Sequence, residues 1–373
     1  MVTDRPPGES STRFARMGDS LRVTSGQRDW SLDALRVVAI LGVVSIHTFG
    51  ALVTNPAAQG TPDRWVALIL NSGMIWAVPV FVMMSGALVL EPRAHADGVA
   101  GFYRRRLSRL LPAFVFWQVF YVVVVRELLT GLDESAGDVL KLVLAGNTYT
   151  HLYFLWLIVG LYALAPVLHA FLVAGGERRA LWFAGVVLAV SVLTSISSSL
   201  FAYAGDPRPL TLLALTQWIP YVGYFLAGWA LKDIRIGLVG RVVVTGVAVL
   251  AIAEIILQAG LHPGGPAAAL VPLSYYGPVP AVAALALFVA VRAWWGSRRL
   301  DGGAARVMRV LSDSAFGVYL VHFVILILLR RVPLFAGFEN SATLSALLFS
   351  ATVLVSFAVV GVLRRVPLVR RIV

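Results

Sequence analysis

Ten separate runs of about twenty apolar residues fill almost the whole of this 373-residue chain, and they leave few folds open to it. They lie at 31–53, 65–90, 110–129, 152–173, 181–201, 211–231, 238–259, 270–291, 311–330 and 342–363. A helix of roughly 20 residues matches the hydrocarbon thickness of a bilayer, and backbone there must satisfy its own hydrogen bonds. Each run is therefore expected to be a transmembrane helix, and the chain an all-α integral membrane bundle of about ten. Charged residues make up 13% of the chain, against about 25% in soluble domains. Little length remains for a water-soluble domain.

The net charge of +12 suggests nucleic acid only until its distribution is read. On alternate connections Lys and Arg number 24 on one side and 6 on the other, with Arg36 just inside the first run. The richer side carries residues 1–30, 91–109, 174–180, 232–241, 292–310 and the C-terminal tail, so basic side chains predict both termini in the cytoplasm of a multi-pass cell (plasma or inner) membrane protein. Membrane lipids, not nucleic acid, are the expected surroundings. Residues 1–30 are polar and Arg-rich with no apolar core of a signal peptide, and are expected to be a disordered cytoplasmic tail. The transmembrane domain is expected over 31–365.

Cysteine is absent, which excludes a disulfide framework, a thiolate metal site and a thiol nucleophile. No sequence period of 20–50 residues and no inverted pair of broken helices is evident, which weighs against a transporter. The longest connection on the less basic side, 130–151, contains GDVLKLVLAGN, an amphipathic run too short to span and expected to be interfacial or re-entrant.

Within the first run Arg36 and His47 are eleven residues apart, three helical turns plus about 20°, so they share a face and are separated by about 16 Å along the axis. Ionisable groups inside a bilayer are costly and are usually kept for function. Ordering the polar residues by depth gives two layers. The cytoplasmic layer holds Asp33, Arg36, Ser85, Gly86, the run Arg104 to Arg106, Arg109, and Ser312, Asp313 and Ser314; guanidiniums beside small residues suit phosphate. Asp33 is placed at i, i+3 to pair with Arg36. Juxtamembrane Arg is ordinarily an orientation signal and lipid anchor, the alternative reading for Arg104 and Arg105.

The outer layer holds His47 and, at the outer mouth of the fourth run, His151, with His322 near mid-depth of the ninth. Imidazole is the usual general base where thiols are missing, although a single histidine in a membrane helix also serves as interhelical glue. The spacing of the histidines fits no metal-ligand pattern, and no metal is expected. His95, His169 and His262 fall near loops and helix ends and are expected to carry no function. Glu254, well inside the seventh run, is read as functional by default, or else protonated or paired across helices.

Taken together these segments resemble the acyltransferase family 3, integral membrane O-acyltransferases of cell-surface glycans and related acceptors. The first run carries Asp33, Arg36 and His47 (DALR, then IH); PVFVMMSGALVL resembles the family's Pro-aromatic-Ser-Gly segment, FYRRRLSRLLP its Arg-x-x-Arg stretch, HLYFLWLIVGLYALAP its His-aromatic-Leu helix and SAFGVYLVH its Tyr-Leu-x-His helix. Phe323 follows where proline is usual. The likeness runs from about residue 30 to 330 and implies the stand-alone kind, without a fused hydrolase-like domain. It implies that His47 and Arg36 are essential, that Arg106 and Arg109 are the cytoplasmic pair, and that the donor is cytoplasmic acyl-coenzyme A, with acetyl as the default acyl group.

Combined with the two layers, the resemblance assigns His47 and His151 to catalysis and Arg36, Arg106, Arg109 and Ser85 to the donor. His47 either deprotonates an acceptor hydroxyl or carries the acyl group itself; the acceptor expected is a cell-surface glycan, a lipid-linked sugar or a related molecule. The opposing reading is a transporter or flippase for a lipid-linked glycan. The sequence does not fix the oligomeric state.

Overall fold

A computed structural model describes residues 28–373 apart from 133, 263, 297 and 368, and among the described residues there is helix but no strand. The tail expected over 1–30 falls, up to residue 27, outside the described residues. Helix α1 (Trp30–Thr54) starts where the Asp29 carboxylate accepts from the Ser31 and Leu32 amides, satisfying two N-terminal donors that a helix leaves open. Helix α2 (Pro62–Asn71) is capped by Thr61 and has Pro at its first turn; a tight turn at Ser72–Met74 joins it to α3 (Ala77–Val89), and the two make one apolar span. The Asn71 amide fixes this break by donating to Ile46 O of α1 at 2.6 Å.

Helix α4 (Gly98–Phe120) contains Pro112 and continues as a wider π-helical stretch, Tyr121–Leu129. Such turns are rare and frequent at functional sites. The amphipathic run expected between spans forms α5 (Ala136–Ala145), capped by Ser135 and closed by Gly146 at φ 72°, a left-handed conformation that favours glycine. The segment α6 (Tyr153–Tyr203) is two helices in succession, which meet at a kink where Gly176 leaves helical geometry (φ 67°, ψ −169°). It is followed by α7 (Val222–Leu231), α8 (Leu238–Leu261), the short α9 (Pro266–Leu270), α10 (Pro278–Trp295), α11 (Gly302–Leu329) and α12 (Ala342–Leu363).

Eight of these helical stretches are long and apolar enough to cross a membrane. The sequence counts ten: its division between 173 and 181 coincides with the bend at Gly176, and it also counts α7, whose apolar helix Ile219–Leu231 is shorter than a bilayer is thick.

Burial ranks the helices by position. The most apolar window is 61% buried in α11, 56% in α2–α3 and 50% in α1, but only 22% in α8 and in α12. The first three are therefore central, and α8 and α12 present Leu250 and Leu354, each 71% exposed, to the outside. An exterior of this kind suits lipid, where no water is available to penalise exposed apolar surface. Helix α1 packs against α2, α3, α10, α11 and α12, while α3 lies against α7.

The two ends of the described chain meet on α11. Arg28 reaches Asp313 Oδ1 at 2.6 Å, Arg36 reaches Ser312 Oγ at 2.8 Å and Arg364 reaches Ser314 Oγ at 2.9 Å. Three consecutive α11 residues thus tie the start of α1 and the end of α12 to one end of the bundle.

Candidate active site

The two polar layers read from the sequence open into a single cavity of about 1190 Å³. Arg36, His47, Ser85, Arg106, Arg109 and His151 all line it. α1 supplies Arg36 and His47 from one face; α3 supplies Ser85, α4 the other two arginines, and the turn before α6 supplies His151.

At the end nearest residue 28, Asp33 organises the cations. Its side chain is only 5% exposed and faces two guanidiniums: Arg28 Nε at 2.5 Å and Arg36 Nη1 at 3.3 Å. Ser312 Oγ donates to Asp33 Oδ1 at 2.5 Å and accepts from Arg36 at 2.8 Å. A buried carboxylate must be paired, and this pairing in turn fixes the direction of Arg36, leaving it partly open to the cavity. Arg106 sits between the rings of Phe102 and Tyr162, 5.9 and 5.8 Å from their centroids, where cation–π attraction holds a cation without neutralising it.

Beside the first-turn acid, Asp29 meets Arg292 of α10. Burial pushes the Asp29 carboxyl up, but the Arg292 charge and the hydrogen bonds from Ser31, Arg292 and Leu32 outweigh it and hold the acid below its ordinary range. Asp29 therefore remains an anion that anchors the start of α1.

The other end is a cluster of imidazoles. The ring centroid of His47 is 6.2 Å from that of His151 and 5.5 Å from that of His322, and the last two are 5.0 Å apart. His322 is fully buried and its Nδ1 lies 3.1 Å from Val318 O and 2.7 Å from Tyr319 O. A carbonyl accepts only, so Nδ1 carries the proton and Nε2 is the bare nitrogen; it has no hydrogen-bond partner among the described residues. Both ring nitrogens of His151, 2% exposed, are likewise without partners among the described residues. Leaving a buried polar nitrogen unpaired costs about 1–3 kcal/mol, a cost that functional sites often carry. Among the described residues no group of three or more His, Cys, Asp or Glu is arranged to hold a metal ion.

Aromatic side chains hold the backbone around these rings. Tyr319 OH donates to His151 O at 2.5 Å, and Tyr121 OH, on the π-helical stretch, donates to Leu320 O at 3.0 Å and accepts from Val324 N at 3.3 Å. Phe323 stacks on His151 at 5.5 Å and meets His47 edge-on at 4.9 Å. Beyond Thr150 and Phe323, which both border it, lies a second cavity of about 470 Å³ with Arg126, Asn147 and Tyr149 in its wall. Arg126 grips Glu134 through two nitrogens, and that hydrogen bond holds the Glu134 carboxyl below its ordinary range.

Several expectations need correction. His151 stands in the turn before α6 and is buried there, with Phe323 stacked on its ring and the cavity on its open side. His322, which the sequence left between function and glue, completes the cluster. Glu254 is exposed on α8 and accepts from Gln258 at 3.1 Å; it faces away from the cavity. His95 and His169, expected to carry nothing, stack at 4.0 Å and donate to Val89 O and Leu90 O, capping the open carbonyls at the end of α3. Sequence reasoning missed Tyr319 and Phe323 as parts of the site, although Tyr319, His322 and Phe323 fall at i, i+3 and i+4, one helical face.

A family model described as an acyltransferase domain matches residues 29–361. No curated protein and no solved structure matches the chain.

Proposed function

We propose, since this chain belongs to that acyltransferase family, that it is an O-acyltransferase taking an acyl group, acetyl by default, from cytoplasmic acyl-coenzyme A to a hydroxyl of a cell-surface glycan or lipid-linked sugar. The observation that carries the reading is the shared cavity, with guanidiniums at one end and imidazoles at the other. Lys and Arg favour the cytoplasmic side, and the guanidinium end is the end where the basic connections lie. Phosphates of the donor would sit there, on Arg36, Arg106 and Arg109, with Ser85 beside them.

Length supports the arrangement. A pantetheine arm has about thirteen bonds between phosphorus and sulfur, and at the extended-chain rise of about 1.2 Å per bond it reaches about 16 Å. That matches the helical separation of Arg36 and His47, about 16 Å. A donor anchored by its phosphates at Arg36 would bring its thioester to the imidazole cluster.

There His47 acts as general base. Its imidazole takes the proton from the acceptor hydroxyl as that oxygen attacks the thioester carbonyl; the carbon–sulfur bond then breaks, and the imidazolium returns its proton to the departing thiolate. His151 orients the acceptor or shares the proton. Acceptor access through the smaller cavity fits the mixed wall of Tyr149, Asn147 and Arg126, since an aromatic face with polar groups beside it suits a sugar ring.

The test is turnover of labelled acetyl-coenzyme A by protein purified in detergent, where no compartments exist and a transporter has no acyl transfer to show. His47→Ala should lower turnover about 10²–10⁴-fold, the usual worth of a general base, with insertion and folding intact. Undiminished turnover in that variant would sink the assignment.

A further inference from the structure

A segment the reading above does not use forms part of the same cavity. After α12 the chain meets Pro367, which cannot continue a helix, and turns back to a short helical turn at Val369–Arg371. That segment packs against α4, where Trp117 Nε1 donates to Ile372 O at 2.6 Å. Val373 fills space left by a missing side chain on α11: a Cβ at Gly317 would stand 3.4 Å from Val373 Cβ and 2.7 Å from Val360 Cγ1. The segment is thus seated by a hydrogen bond on one side and a close apolar contact on the other.

Arg370, Arg371 and Val373 all line the cavity. Among the described residues neither arginine pairs with a carboxylate, although Arg364 earlier in the same tail is taken up by Ser314. The lining therefore carries five guanidiniums, Arg36, Arg106, Arg109, Arg370 and Arg371, against one acidic side chain, Asp313. Like charges crowded around one space repel at an effective dielectric constant well below that of water. A polyanion in the middle removes that repulsion, and guanidinium forks match phosphate oxygens in pairs. The nucleotide end of coenzyme A carries a diphosphate and a 3′-phosphate, a polyanion to which five guanidiniums offer more paired contacts than three.

We infer that the C-terminal segment is part of the donor site, with Arg370 and Arg371 binding the phosphates of the donor's nucleotide end. This rests on the acyl-coenzyme A reading above. The two arginines bind the donor and take no part in the transfer step, which occurs at the far end of the cavity.

Calorimetry on the full-length protein in neutral detergent, free of anionic lipid, tests it with coenzyme A and 3′-dephospho-coenzyme A as probes. Arg370→Ala combined with Arg371→Ala should weaken coenzyme A binding by about tenfold or more, as loss of charge-assisted phosphate contacts does, and should narrow the difference between the two probes. Turnover of an acyl-pantetheine, which has no nucleotide, should stay at the wild-type rate and so show that the variant is folded. Arg370→Lys with Arg371→Lys should recover part of the affinity. Coenzyme A affinity that does not move in the double alanine variant, while Arg106→Ala still lowers it, overturns the inference and leaves the donor reading standing; that is also the result if the two arginines only anchor anionic lipid headgroups. A wild-type protein that binds no coenzyme A removes the donor reading itself, and the inference with it.

Discussion

Gly86 and Gly228 set how closely two walls of the bundle approach, and adding one methyl group there should be felt in both stability and turnover. A Cβ on Gly86 of α3 would lie 1.8 Å from Phe225 O, and one on Gly228 of α7 would lie 1.9 Å from Met83 O. The obstacles are backbone atoms, so no rotamer change relieves them. Restoring even the shortest contact that real Cβ atoms make, 3.0 Å, opens the α3–α7 interface by at least 1.2 Å. A gap of about 1 Å forfeits a quarter to a half of each dispersion contact of about 0.1–0.2 kcal/mol. Over the tens of atom pairs between two packed helices the loss comes to about 1–3 kcal/mol, the usual range for overpacking. Gly86→Ala should therefore lower the thermal midpoint in detergent by about 2–6 °C. Turnover should fall as well, because Phe81, Met84, Ser85 and Leu88 of α3 line the cavity and move with the helix. Gly246→Ala on α8 is the control: nothing lies within 4 Å of its Cβ, and its backbone is helical. It should be neutral or gain up to about 1 kcal/mol of helix propensity. Adding Gly228→Ala to Gly86→Ala should cost less than it does alone, since the first methyl has already separated the helices. A Gly86→Ala protein indistinguishable from Gly246→Ala in both midpoint and turnover would refute the close-approach argument.

Two further outcomes concern the end of the bundle nearest residue 28. His95 is pushed below its ordinary value of 6.5, first by burial and then by the neighbouring His169; the unfolded chain therefore binds the proton more readily, and stability present above about pH 6.5 is lost as pH falls toward the lower folded value. Thermal midpoints in detergent between about pH 7 and pH 5 should show this decline in the wild type and a shallower one in His95→Gln, and equal slopes would exclude His95 as its source. Asp33→Asn removes the carboxylate that holds Arg28, Arg36 and Ser312. Because both arginines are about a third exposed and partly screened, the cost should be about 1–3 kcal/mol, less than for a fully buried pair. Its functional mark should be a raised KM for the donor with a smaller change in kcat, and a variant that changes only kcat would contradict a positioning role for Asp33.

Hydropathy reports the depth of a residue along a span but not the direction in which it points, and that division separates what the sequence disclosed from what it did not. Arg36 and His47 were legible because both lie on one helix, whose period fixes their relative direction without any partner. Glu254 has the same sequence signature, an ionisable group deep in an apolar run, yet it points away from the site because α8 is peripheral and its outer face is the one Glu254 occupies. The distinction required knowing which helices surround α1. His151 and His322 stand in two other segments, and their meeting with His47 depends on how α6 and α11 pack, which no local period encodes. A break within one segment is legible for the same reason as the first pair: the polar interval 174–180 divides the runs 152–173 and 181–201, and the backbone leaves helical geometry within it, at Gly176. The C-terminal arginines show the limit most directly. In a count of positive charge they are interchangeable with Arg364 and Arg365, and all four serve equally to orient the chain. Pro367 and the space above Gly317 separate them, turning the last pair inward to the cavity while Arg364 remains at the helix end. A topological signal and a binding residue can thus be the same side chain type a few positions apart, and only the route of the backbone distinguishes them.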